Sequence, residues 1–205
     1  MKMKLFKLII MTALSSLTMQ SFAQNPLESL RNMFASETVS MQCDYETELN
    51  GTLVVGHSDV VVQNSMYSMQ GNGLEVYCNG KTMWTIDESS YEVVIEPCSA
   101  QDMDYLANPV LLLIDIDKLF RQSSRRNLVN GKVEYVFDAV ADSGVTKAIL
   151  VLKSDGTVDR GTFILEDGNE FTVQVTSMKK TEEKPASFFS PQRKFGSDWV
   201  VTDLR

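Results

Sequence analysis

The chain has 205 residues, 43% hydrophobic and 22% charged, with 27 acidic residues against 19 basic ones for a formal net charge of −8. An acidic surface repels phosphate backbones and anionic headgroups, which argues against nucleic acid as a partner. One histidine and three cysteines leave little material for metal or acid–base chemistry.

Lys2, Lys4 and Lys7 precede an apolar stretch over 5–17, and Ser21-Phe22-Ala23 puts small residues three and one before a cut ahead of Gln24. This three-part pattern predicts a secretory signal peptide over 1–23. The apolar run falls short of the roughly 20 residues of a spanning helix. Residues 24–205 are then the mature domain, one core of ordinary size. Loss of the three leader lysines takes the formal charge to −11.

Asn25-Pro26 reads as a helix start, followed by Leu27, Leu30, Met33 and Phe34 at helical spacing. From Met41 the period changes to two. Met41, Cys43, Tyr45 and Leu49 alternate with Gln42, Asp44, Glu46 and Glu48. Further strands are predicted over 53–62, 66–70, 74–78, 82–87 and 92–96, with Asn79-Gly80 as a hairpin turn. Asn108-Pro109 repeats the capped start, and 110–120 predicts a helix apolar around most of its circumference. Strands resume over 133–140, 146–153, 161–166 and 170–178, separated by Asp/Ser/Gly turns. Residues 179–185 read as an exposed charged segment. Phe188, Phe189, Phe195, Trp199, Val200 and Val201 make an apolar tail that adds a last edge strand.

The expected fold class is mainly β (α+β). About ten strands form one curled antiparallel sheet, an incomplete β-barrel covered by short helices, because open twisted sheets seldom exceed that number without curling. Catalytic chemistry is missing from the pattern. His57 stands alone, the cysteine spacings fit no zinc or redox pair, and no nucleophile elbow or phosphate-binding glycine loop occurs. Asp115 and Asp117, two apart on a helix, do not face each other. The chain therefore reads as no enzyme, and no cofactor or metal is expected. Cys43, Cys78 and Cys98 form either one disulfide plus a free thiol or three small buried apolar residues. The positive signal is adaptable apolar surface: seven methionines remain after residue 23, and Met suits surfaces that take varied ligands.

Asn79-Gly80-Lys81-Thr82-Met83-Trp84-Thr85-Ile86-Asp87 resembles a hairpin of the periplasmic outer-membrane lipoprotein carriers, the LolA-like family. Asn108-Pro109 and its apolar helix sit where that family has a short lid helix. Asp155-Gly156 and the ending Val200-Val201-Thr202-Asp203-Leu204-Arg205 are similar to its C-terminal half. The resemblance implies a periplasmic chaperone, acting as a monomer in protein transport, that binds the acyl chains of lipoproteins or other lipids in a hydrophobic cavity. It implies an inner-membrane ABC lipoprotein exporter as donor and an outer-membrane acceptor. Where the family carries an Arg-Pro pair that latches the lid, this chain reads Val61-Val62-Gln63-Asn64-Ser65, which makes Gln63 the latch candidate. The alternative is a sensor or protein-interaction domain on the same scaffold, such as stress-sensing proteins that bind anti-sigma factors. In the period-two reading, Met41, Tyr45, Leu74, Val76, Trp84, Ile86, Val93 and Ile95 point inward. Leu111, Leu112 and Ile116 close over them from the lid. A one-residue slip would exchange the two faces.

Overall fold

A computed structural model describes residues 26–49, 52–98, 116–140 and 144–205. Helix α1 (Pro26–Ser36) opens with Pro in the first turn, where a missing N–H costs nothing. Its apolar stripe buries Leu27, Leu30 and Phe34 and half-buries Met33. The Ser36 hydroxyl donates back to the Asn32 carbonyl at 2.7 Å as the helix ends.

Among the described residues twelve strands follow: β1 (Thr38–Leu49), β2 (Thr52–Gln63), β3 (Met66–Gly71), β4 (Leu74–Cys78), β5 (Thr82–Asp87), β6 (Glu92–Pro97), β7 (Phe120–Asn127), β8 (Val133–Ala139), β9 (Val145–Leu152), β10 (Val158–Leu165), β11 (Glu170–Thr181) and β12 (Val200–Asp203). A single turn of helix, α2 (Ile116–Leu119), precedes β7. All strands join one sheet in the order β12-β6-β5-β4-β3-β2-β1-β11-β10-β9-β8-β7. Two meanders meet at β1, which pairs antiparallel with both β2 and β11. The outermost strands β12 and β7 do not pair with each other, so the sheet curls into a barrel left open.

Local chemistry sets the turns. Asn72 and Gly73 both have positive φ (52° and 81°), the twist that a two-residue hairpin between β3 and β4 requires. At the expected Asn79-Gly80 turn, the Asn79 side-chain oxygen accepts from the N–H groups of Lys81 (3.0 Å) and Thr82 (2.9 Å). Gly156, at φ 85° between β9 and β10, leaves room for α1. A Cβ there would meet the Pro26 carbonyl at 2.9 Å.

The architecture meets the expectation of a curled, mainly β fold, with three differences. The expected helix over 110–120 falls mostly outside the described residues; its described part is helical only to Leu119, and Phe120 already opens β7. β7 itself has no counterpart in the sequence reading, because Phe120-Arg121-Gln122-Ser123-Ser124-Arg125-Arg126-Asn127 buries only its first residue and shows no alternation. The last strand lies at the edge as expected, but β12 runs parallel to β6 after the chain has crossed the outer face.

Candidate functional site

The concave face of the sheet is apolar along rows of residues in register. One row runs Val39, Val62, Tyr67, Cys78 and Met83 across β1 to β5. The next runs Met41, Val60, Met69 and Val76, and every member of both rows is buried. In the other wing, Tyr45, Val173, Gly161, Leu150 and Tyr135 form a third row across β1, β11, β10, β9 and β8. Helix α1 lays Leu27, Leu30 and Phe34 into this face, and Ile116 and Leu119 of α2 join the same cluster. An ion pair between Arg31 and Asp117 links the two helices; both side chains are exposed, so it contributes little.

The structure places Met41 and Val76 on the concave face, Tyr45 and Leu74 half-buried against it, and Ile116 buried within it. Leu111 and Leu112 lie outside the described residues. Trp84, Ile86, Val93 and Ile95 do not join this face. They pack with Tyr77, Phe195 and Trp199 in a second cluster on the convex side, and their expected facing is corrected accordingly. β5 and β6 carry apolar residues at both parities, so alternation could not choose; the register Cys78 to Met83 turns Met83, not Trp84, inward. Concave residues outside the inward-pointing set expected from sequence include Val60, Met69 and Met83. Carrying the register outward strand by strand finds Val60 and Met69 from Met41, and Met83 from Val39.

Gln63, the expected lid latch, has its described partners in other segments, Thr38 and Lys184. It is 5% exposed. Its side-chain oxygen accepts from the Thr38 hydroxyl and the Lys184 N–H, both at 2.8 Å, and its nitrogen donates to the Lys184 carbonyl at 3.1 Å. The amide thus fastens the chain where it leaves β11 for the outer face. Beyond it, Phe189 is fully buried, and Arg193 pairs with Glu75 (3.0 Å) and Glu88 while lying over the Trp199 ring at 5.1 Å. This C-terminal arm covers the convex cluster and ends as β12.

Cys78 and Cys98 are joined in a disulfide with 20 residues of sequence separation, and Cys43 is a buried free thiol, which selects the first of the two cysteine readings. The bridge ties the end of β6, where the chain departs toward residues 99–115, to the concave side of β4. By chain entropy such a loop adds about 3 kcal/mol. Burial, helped by Asp44 and Asp59, pushes the Cys43 thiol up to about 12, so it stays protonated and unreactive. His57 is exposed in mid-β2 and its Nδ1 meets the Asp44 carboxylate at 2.8 Å. Among the described residues no three His, Cys, Asp or Glu side chains gather closely enough to hold a metal ion.

No family model matches the chain, and no match was found among curated proteins. Solved structures do match. The chain is similar to an uncharacterized conserved protein from Thermus thermophilus, with 16% identity over 89% of this chain and 99% of that one and a TM-score of 0.55. It is also similar to a LolA superfamily protein from Nitrosomonas europaea (13% identity, 82% and 97% coverage, TM-score 0.47). A third match is the MucA/MucB complex of Pseudomonas aeruginosa (12% identity, 89% and 64% coverage, TM-score 0.34).

Proposed function

We propose that this chain is a periplasmic carrier that shelters the acyl chains of lipoproteins against the concave face of its sheet and delivers them toward the outer membrane. The observation that carries the reading is the open sheet itself, with whole rows of apolar side chains on its concave face and short helices laid over them. Such a face gives a flexible acyl chain the same environment as a membrane, at about 0.8 kcal/mol for each buried methylene. Met41, Met69 and Met83 suit the task because an unbranched thioether repacks around chains of different length.

In this reading the basic and apolar leader over 1–23 directs export, an inner-membrane ABC exporter supplies the cargo, and an outer-membrane acceptor removes it. Uptake and release require that the helices covering the concave face exchange places with the acyl chains at small net cost. The test is displacement of a hydrophobic dye from residues 24–205 by an acylated peptide. Competition by the acylated peptide, and none by the same peptide without its chain, is expected. Absence of competition by any acylated ligand overturns the proposal. Recovery of one regulatory protein and no lipid in a pull-down would favour a sensor role instead.

A further inference from the structure

The third row of the concave face ends on a cation. Tyr45, Val173, Gly161, Leu150 and Tyr135 lead across the sheet to Arg125 on the edge strand β7. The Arg125 guanidinium lies over the Tyr135 ring, 5.8 Å from its centre. Tyr135 is fully buried in the concave cluster, whereas Arg125 is exposed at its rim.

A bulge aims this side chain. In the β7–β8 pairing Gln122 faces Phe137 and Arg125 faces Tyr135, with an irregularity between Gln122 and Ser124. Phe137 and Tyr135 both point into the concave cluster. Strict alternation from Gln122 would send residue 125 to the convex side; the one extra residue restores it to the concave one. The other two arginines of β7 face outward, each in register with a carboxylate-bearing residue. Arg126 pairs with Glu134 at 2.8 Å, and Arg121 stands opposite Asp138. Among the described residues Arg125 has no carboxylate within ion-pair distance; it has the ring. Stacked in this way, a planar guanidinium keeps its N–H edge free for two parallel bonds to a carboxylate or phosphate. Gln122 and Asn127, exposed on the same side of β7, add neutral hydrogen-bonding groups on either side.

We propose that Arg125 binds an anionic oxygen group at the head of the acyl ligand, so that the site takes anionic amphiphiles in preference to neutral ones. The inference rests on the concave face being the acyl site and names the class of ligand it accepts. The acyl chain lies along the row toward Tyr45, five strand spacings or about 24 Å along the curve, and the head group stops at the rim.

The test compares dodecanoate with the neutral glycerol monoester of the same acid as competitors for a bound dye. The unmodified chain should bind the anionic amphiphile roughly fivefold more tightly, the scale of one partly solvated ion pair. Arg125→Gln should remove that preference and leave the neutral ligand's affinity unchanged. Arg125→Lys should restore part of it, and Arg121→Gln, on the convex side, should retain all of it. Dodecyl phosphate, run beside dodecanoate, separates a phosphate head group from a carboxylate; tighter binding of either supports the proposal. Equal binding of charged and neutral amphiphiles by the unmodified chain overturns it. So does a preference that survives Arg125→Gln or vanishes equally in Arg121→Gln. If neither amphiphile binds, the acyl-site reading itself fails; if the neutral one binds without a charge preference, only the head-group assignment does.

Discussion

The two wings of the sheet differ in what covers their convex face. In β8 to β10 the concave side holds Tyr135, Phe137, Leu150 and Phe163 with no exposed surface to speak of, while Glu134, Asp138 and Arg160 point the other way. In β4 and β5 both sides are covered, and β6 adds to the convex one. Val76, Cys78 and Met83 belong to the concave cluster, and Tyr77, Ile86, Val93 and Ile95 to the convex one beneath Phe195 and Trp199. A strand with one wet face announces its orientation through alternation. A strand sandwiched between the concave core and a C-terminal arm does not, because burial on both sides removes the polar half of the pattern.

That contrast can be broken first by truncating each cluster. Phe163→Ala, in the one-faced wing, should cost about 3–5 kcal/mol of stability in urea denaturation, as for other fully buried aromatics. A loss below about 1 kcal/mol would mean that this wing is not the packed core described. Ile86→Ala, in the convex cluster, should cost about 2–4 kcal/mol yet leave dye affinity unchanged. Met83→Ala, on the concave face of the same strand, should weaken dye binding instead. The reverse pattern would restore the facing of β5 expected from sequence.

A smaller effect separates the arm from the concave face. Gln63→Leu leaves the Thr38 hydroxyl and the Lys184 N–H without their partner, a loss of about 1–3 kcal/mol. Protease cleavage should appear in 184–199 and acyl binding should survive. Cleavage confined to other segments would contradict the latch. The smallest effect at neutral pH belongs to Cys43. Its folded thiol is pushed up to about 12 from an ordinary value of 9.0, so the folded state keeps the proton more tightly than the unfolded chain. Stability from this group is fully present below about 9 and is lost as pH rises from 9 toward 12. Iodoacetamide at about pH 7.5 should label Cys43 only after denaturation; labelling of the folded chain would show that β1 opens there.

Much of the architecture is legible in the sequence because it rests on local chemistry. Leu27, Leu30 and Phe34 specify the face of α1, Asn79-Gly80 specifies a turn, and Met41 to Tyr45 specify an alternating strand. β7 is not legible, since its strand character comes from pairing with β8 and not from its own polar sequence. Gln63 stands out by position, but its partner Lys184 lies 121 residues away, a distance that no local pattern spans. Trp84, Ile86, Val93 and Ile95 read as apolar strand residues, and so they are. Only their side is wrong, the error that a sandwiched strand invites.

The most direct test of acyl binding on the concave face is photocrosslinking with an acylated peptide that bears a diazirine along its chain, followed by mapping of the adducts. Adducts on Met41, Met69, Met83 and Tyr135 are predicted, with none on Trp84, Phe195 or Trp199. Adducts confined to the convex cluster, or none that unlabelled acylated peptide can compete away, would contradict the account.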